Sequence, residues 1–290
     1  MAEFVLWFCI FYVWHILGTT VGYHRLLAHR TFKCPKLVEY FFVLGGYLAF
    51  ESSPIWWATV HRAHHRYVDT PLDPHSPRFG DYQAYAGWIF HKKYPEHINP
   101  QLQAPDLIND PVYSFLERCN NWHRSHLTNS AIGFGSRLVL WLFFGWKIAL
   151  ASVLAGLVCQ QVPFLLNVVC HKRNLGYKNY EEGDDSVNVW WLLIPTMGDN
   201  WHNNHHAFPG CARSGFRWFE IDFSYMVIKM LESLRLASNV NSRFTLEDNV
   251  SPTGAVPVPL PVPVPVPVQV QAPVTISVMQ TLRADESVIR

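Results

Sequence analysis

"LVEYFFVLGGYLAFESSPIWWATV", residues 37–60, is the stretch whose reading decides the fold. It is long and apolar enough to cross a bilayer, for which a helix needs about 20 apolar residues. It also carries Glu39, Glu51 and the Ser52-Ser53-Pro54 break. "HRLLAH" (24–29) precedes it and "HRAHH" (61–65) follows it directly. If the segment crosses, these two histidine clusters lie on opposite faces and no single centre can use both. If it is embedded without crossing, they share a side. Two carboxylates within an apolar run are costly in lipid and favour the non-crossing reading; a plain fourth span remains the alternative.

Working outward, Phe4 to Tyr23 is an apolar run of spanning length. Ala131–Val169 reads as a hairpin of two spans interrupted near "GWK" (145–147). We take the spans as 4–23, 129–146 and 148–169, with 37–60 embedded. Residues 1–24 hold no Lys or Arg, and Lys147 is the one basic residue at a turn that must face the other side. By the positive-inside rule the loop 61–128 and the region 171–240 form a cytoplasmic cap. Arg137 falls inside a span and must either face the protein interior or snorkel outward. The expected fold is therefore an all-α integral membrane protein with a cytoplasmic helical cap. Residues 1–240 form its domain. The tail, 241–290, contains "VPVPLPVPVPVPV" and reads as extended and disordered, because proline removes ladder donors.

Composition agrees. The 290 residues are 49% hydrophobic and 16% charged, with a net charge of +1, which excludes a strongly basic nucleic-acid binder. The six cysteines show no C-x-x-C spacing and read as free thiols. The start of the chain lacks the basic region of a cleavable signal.

A third cluster, "WHNNHH" (201–206), repeats the spacing of the second. On a helix, positions i, i+3 and i+4 share a face, so His61, His64 and His65 project together, as do His202, His205 and His206. His24 and His29 are five apart and are expected to approach from different angles. Asn167 and His171 are i, i+4 at the cytoplasmic end of the last span. Nine histidines exceed one tetrahedral site and suit two metals; imidazole suits iron, zinc, copper or nickel, so the residues alone do not select one. Of the others, His15 reads as a structural contact, His75 as either a loop residue or a support for the ligands, and His91, His97, His123 and His126 as solvated cap residues.

"GYHRLLAHRTF", "WATVHRAHHRYVDTPLDPHSPR" and "WHNNHHAFPGCARSGFRWFEID" resemble the membrane fatty-acyl desaturases of the delta-9 type, over about residues 4–237. The resemblance implies a di-iron centre that uses dioxygen to introduce a cis double bond into a saturated acyl chain. It implies His24, His29, His61, His64, His65, His171, His202, His205 and His206 as ligands and Asn167 as holding metal through water. It implies an acyl-CoA or another acyl carrier or lipid as substrate, and a ferredoxin or b-type cytochrome as electron donor. Family members usually have a further span before the one leading into the first cluster, so a truncated or shortened chain is expected here. Phe8 and Tyr12, i, i+4 on the first span and deep below His24, are candidates for closing the acyl tunnel. Arg62, Arg66, Lys92, Lys93, Lys172 and Arg173 offer an acidic redox partner a positive surface. Two rival readings are a hydroxylase of the same histidine-cluster class and, from another class, a metal transporter or non-catalytic metal-binding membrane protein.

Overall fold

The computed structural model describes residues 1–90, 93–118 and 121–243. Most of the expected tail, together with His91, Lys92 and Cys119, lies outside the described residues. Among those described there are helices and isolated bridges but no strand. The helices are α1 (Ala2–Leu17), a π-helical continuation (Gly18–Ala28), α2 (Lys36–Leu48), α3 (Pro54–Tyr67), α4 (Asp81–Tyr85), α5 (Pro100–Gln103), α6 (Pro111–Glu117), α7 (Trp122–Phe144), α8 (Trp146–Val169), α9 (Leu193–Thr196), α10 (His202–Ala207) and α11 (Phe223–Ser233). Three are long and apolar enough to cross a membrane: Ala2–Ala28, Trp122–Phe144 and Trp146–Val169. This is an all-α integral membrane fold. The hairpin turns at Gly145, whose φ of 88° suits glycine. Its first arm begins at Trp122, seven residues before the expected 129, where the Asn121 side chain caps Arg124 N.

The segment 37–60 is not one helix. α2 ends at Leu48, Phe50 and Ser52 take positive φ (64° and 63°), and α3 starts afresh at Pro54. Ser53 caps α3 by accepting from Trp56 N at 2.9 Å, with proline at the first helical position. Each piece is too short to span alone.

α1 and α2 meet backbone to backbone. A Cβ on Gly18 would lie 2.2 Å from Gly46 N, and one on Gly45 would lie 2.7 Å from Trp14 O. Arg137 faces the protein interior: it is buried, donates to Gly133 O at 3.0 Å and to Leu48 O at the end of α2, and approaches His15 Nε2 at 3.4 Å. His15 Nδ1 in turn donates to Gly45 O at 2.8 Å. These two polar side chains close the C-terminal carbonyls of α2, so the structural role expected for His15 is the one observed. The lipid-facing sides of α1 and α7, with Ile10, Val13, Leu142 and Phe143, are exposed, as a bilayer requires.

The candidate metal centre

The chain from Gly18 to Ala28 is wound as a π-helix, with His29 N donating to His24 O at 3.0 Å, an i→i+5 bond. This changes the helical period assumed for the first cluster, while the two rings still meet nearly at right angles, 76° apart. Five residues make roughly one turn of a π-helix, so His24 and His29 project from one face, ring centroids 4.9 Å apart. α3 and α10 present the other two clusters on ordinary helical faces.

Two groups of ligand nitrogens result. His24, His29, His61 and His205 converge with ligand atoms within 4.8 Å of one another, and so do His64, His171, His202 and His206. His65 joins the first group, its Nε2 2.9 Å from His205 Nε2. Each H-x-x-H-H cluster divides between the two groups. His61 and His65 go to the first and His64 to the second; His202 and His206 go to the second and His205 to the first. The Nε2 atoms pair at 2.7 Å for His29–His61, 3.0 Å for His24–His205 and 3.1 Å for His171–His202. Nitrogens so close repel unless a proton or a cation lies between them.

The donor set fits metal. Four rings are held from behind by carboxylates: His24 Nδ1 by Asp199 at 2.8 Å, His64 Nδ1 by Asp73 at 3.0 Å, His171 Nδ1 by Asp69 at 3.4 Å and His206 Nδ1 by Asp184 at 2.8 Å. With Nδ1–H donated, Nε2 presents its lone pair inward, as metal-binding imidazoles do. His206 Nε2 is buried and has no hydrogen-bond partner among the described residues.

Electrostatics keep most of these rings neutral. Burial, and then neighbouring imidazoles, hold His61, His65, His202, His205 and His206 well below the usual imidazole range; for His29 the basic side chains Arg62 and Arg25 add to this. His64 goes the other way: burial opposes its cation, but Asp73, with Asp69 and Asp184 nearby, raises it above the usual imidazole range. Asp199 stays charged despite burial, because His24 and Arg25 flank it. Buried Arg25 bridges Asp199 and Asp222, at 2.8 Å each, and so ties the π-helix to the start of α11.

Asn167 lines a cavity of about 70 Å³ together with His24, His61 and His202. Ile16, Thr19 and Thr20 form its wall on the first span. Tyr12 packs against the cluster beneath, with Ile16 and Val162, and donates to Pro195 O at 2.9 Å; Phe8 stacks on Tyr12 one turn further down. Neither ring lines the cavity. His75 is buried against His64 and Trp88, with centroids 4.4 and 5.0 Å away, which favours the supporting role over the loop role. Burial pulls it down to about 3. His126 is not a solvated cap residue: it is half-buried on Trp56, 4.6 Å between centroids. His97 is half-buried and bonds to Leu72 O, whereas His123 is exposed.

The positive surface is smaller than expected. Arg62 is spent on Leu27 O, Ala28 O, Gln103 O and Asp106; Lys172 pairs with Asp81 and Arg173 with Asp185. Arg66 and Lys93 are exposed. The cysteines at 9, 34, 159, 170 and 211 are free. Reading histidines alone missed the four supporting aspartates. Their signal was nonetheless present: Asp69 and Asp73 follow the second cluster by four and eight residues, and Asp199 precedes the third by three.

The chain matches the fatty acid desaturase family over residues 2–221. It is 40% identical over 240 residues to an acyl-CoA 5-desaturase of Anemone leveillei, covering 82% of this chain and 72% of that one. It is 39% identical to an sn-1 stearoyl-lipid 9-desaturase of Anabaena variabilis, covering 77% and 78%. It is 38% identical to a delta-9 acyl-lipid desaturase of Arabidopsis thaliana, covering 77% and 70%. Two histidine groups at the ends of membrane helices and a match through all three clusters place this chain in the fatty acid desaturase family, as an oxidoreductase acting on acyl chains.

Proposed function

We propose that the chain is a delta-9 desaturase whose two histidine groups hold two iron ions. Its net reaction is R–CH2–CH2–R′ + O2 + 2 e⁻ + 2 H⁺ → R–CH=CH–R′ + 2 H2O. The observation that carries this reading is the division of nine imidazoles into two adjoining groups beside an apolar-walled cavity. Iron would supply, with dioxygen, the oxidising power that no protein acid or base has toward an unactivated methylene.

The chain's own residues perform the rest. Asp199, Asp73, Asp69 and Asp184 fix the imidazole tautomers. His24, His29, His61, His65 and His205 would hold one ion, and His64, His171, His202 and His206 the other, with Asn167 placed to hold a water beside them. Ile16, Val162 and Leu166 offer the hydrocarbon a dry wall; Tyr12 and Phe8 close the space beneath. Residues 37–60 enter and leave on one side, which puts the cap built from 61–128 and 171–240 on a single face, and the distribution of Lys and Arg makes that face the cytoplasmic one. There a ferredoxin or b-type cytochrome delivers the electrons. The delta-9 position is favoured by the names of the Anabaena and Arabidopsis relatives, against a 5-desaturase name for the Anemone protein. Those names also divide between acyl-CoA and acyl-lipid carriers.

The test is expression in a host that lacks its own desaturase, followed by mass spectrometry of its fatty acids. Octadecanoyl and hexadecanoyl chains should gain one cis double bond at carbon 9. A bond at carbon 5 overturns the position, a hydroxylated chain overturns the reaction, and an unchanged profile from well-expressed, metal-loaded protein overturns both.

A further inference from the structure

The cavity beside the histidines adjoins a second one of about 340 Å³, and Glu51, Trp56 and Phe164 line both. Their chemistry differs. The first runs toward hydrocarbon at Ile16, Val162 and Leu166, whereas the second has His126, Ser130 and Gln160 in its wall. Three buried polar atoms on the wall of the second cavity have no hydrogen-bond partner among the described residues: Glu51 Oε1, Trp56 Nε1 and His126 Nε2. Buried polar groups in native proteins are nearly always paired, so three orphans on one cavity point to what the cavity takes.

Glu51 sits in the break between α2 and α3. Its Oε2 accepts from Trp57 Nε1 at 3.3 Å, and among the described residues no cation pairs with it. Burial pushes the carboxyl well above the usual carboxylate range, with the Trp57 bond pulling the other way. Buried, with Oε1 unpartnered among the described residues, Glu51 favours the neutral form, which has an O–H to donate, and the Trp56 indole is likewise a donor. The matching group is an oxygen that accepts hydrogen bonds. A saturated hydrocarbon has none; an acyl group has one place for it, the carbonyl.

We propose that Glu51 is a specificity-determining residue which, with Trp56, binds the carbonyl oxygen of the acyl ester or thioester. The carbonyl end then occupies the second cavity, and the hydrocarbon passes Phe164 into the first, beside His24, His61 and His202. Trp57 sets the interval: its N–H meets Glu51 and its ring stacks on His61, 4.8 Å between centroids. An indole's width therefore separates the carbonyl from the metal ligands, which brings an interior carbon of the chain to the metal side. This inference deepens the desaturase reading and rests on it.

The test is equilibrium competition on the purified, metal-loaded full chain in detergent, with tritiated methyl octadecanoate as tracer. The competitors are methyl octadecanoate, S-ethyl octadecanethioate and octadecane at equal micellar mole fraction. One retained hydrogen bond corresponds to about a three- to ten-fold preference of ester or thioester over octadecane. Glu51→Leu should erase that preference, and Glu51→Gln, whose amide still donates, should keep it. A stronger ester arm points to a lipid-borne substrate and a stronger thioester arm to a thioester carrier. The proposal is overturned if the Leu variant keeps the preference. If that variant fails to fold, the wild-type chain decides alone: no preference for either carbonyl probe overturns the proposal. Binding needs no turnover, so an intact preference in a chain that desaturates nothing would sink the desaturase reading only, and desaturation without a preference would sink this one only.

Discussion

Asp199 holds His24 and Arg25 at 2.8 Å each, with all three side chains buried. Removing such a support usually costs about 10- to 100-fold in metal affinity. Asp199→Ala should therefore lose iron to a chelator at concentrations about that much lower than wild type, measured as metal retained after dialysis; unchanged retention would leave the carboxylate a packing role only. Asn167 and His171 form a second comparison. His171→Ala should lower iron content, while Asn167→Ala should keep most of the iron and slow turnover. An Asn167→Ala protein that unfolds without a specific catalytic loss would instead make Asn167 a helix-packing residue. Acid sensitivity follows from the depressed imidazoles. His29, His61, His65, His202, His205 and His206 have folded-state values below the unfolded value of about 6.5. As pH falls below about 6.5, the unfolded chain takes up protons that the folded one refuses, so stability is lost on acidification. His64, shifted upward, opposes the six. The metal-free protein should show a flat Tm above about pH 7.5 and a falling Tm from about 6.5 to 5; a flat profile throughout would mean the rings are not held neutral.

At the scale of elements, the π-helix and its C-cap carry two of the five histidines of the first group, and the helix is pinned to α2 through glycines. Gly18→Leu would place a Cβ 2.2 Å from Gly46 N. Backbone cannot yield as a side chain can, so the helices must part, at a cost of about 1–3 kcal/mol or more. The thermal midpoint should fall, and iron content should fall with it because His24 rides on the displaced segment; a stable Gly18→Leu protein with full iron would contradict this packing. The same element marks the limit of sequence reading. His61/64/65 and His202/205/206 were legible because an α-helical period puts them on one face. The nearness of His24 and His29 was not legible because the period itself changes there. "GTTVGYHRLLA" combines two glycines with β-branched Thr19, Thr20 and Val21, a run of weak α-propensity, but widening to i→i+5 is decided by packing against α2 and α3. Arg137 and His126 were unreadable for a related reason: whether a polar side chain in an apolar helix turns inward depends on partners such as Leu48 O and Trp56, far away in sequence.

For the whole molecule, the distribution of Lys and Arg made an arrangement of spans legible before any coordinates, and the three long apolar helices are compatible with it. Sidedness is testable with single cysteines in a cysteine-free background. With an impermeant maleimide on intact cells, Lys147→Cys should label from outside and Arg66→Cys only after permeabilisation; labelling of both from outside would remove the shared cytoplasmic face. What the sequence could not show was the division of labour among nine histidines, since each H-x-x-H-H cluster serves both groups and only the assembled fold pairs them. That division is most directly tested by counting metal. Protein purified from iron-replete cells should hold close to two irons per chain by elemental analysis, falling toward one when His29→Ala depletes the first group or His64→Ala the second. A wild-type chain with a single metal, or with zinc in place of iron, would contradict the two-iron centre, as would variants that both keep the full count.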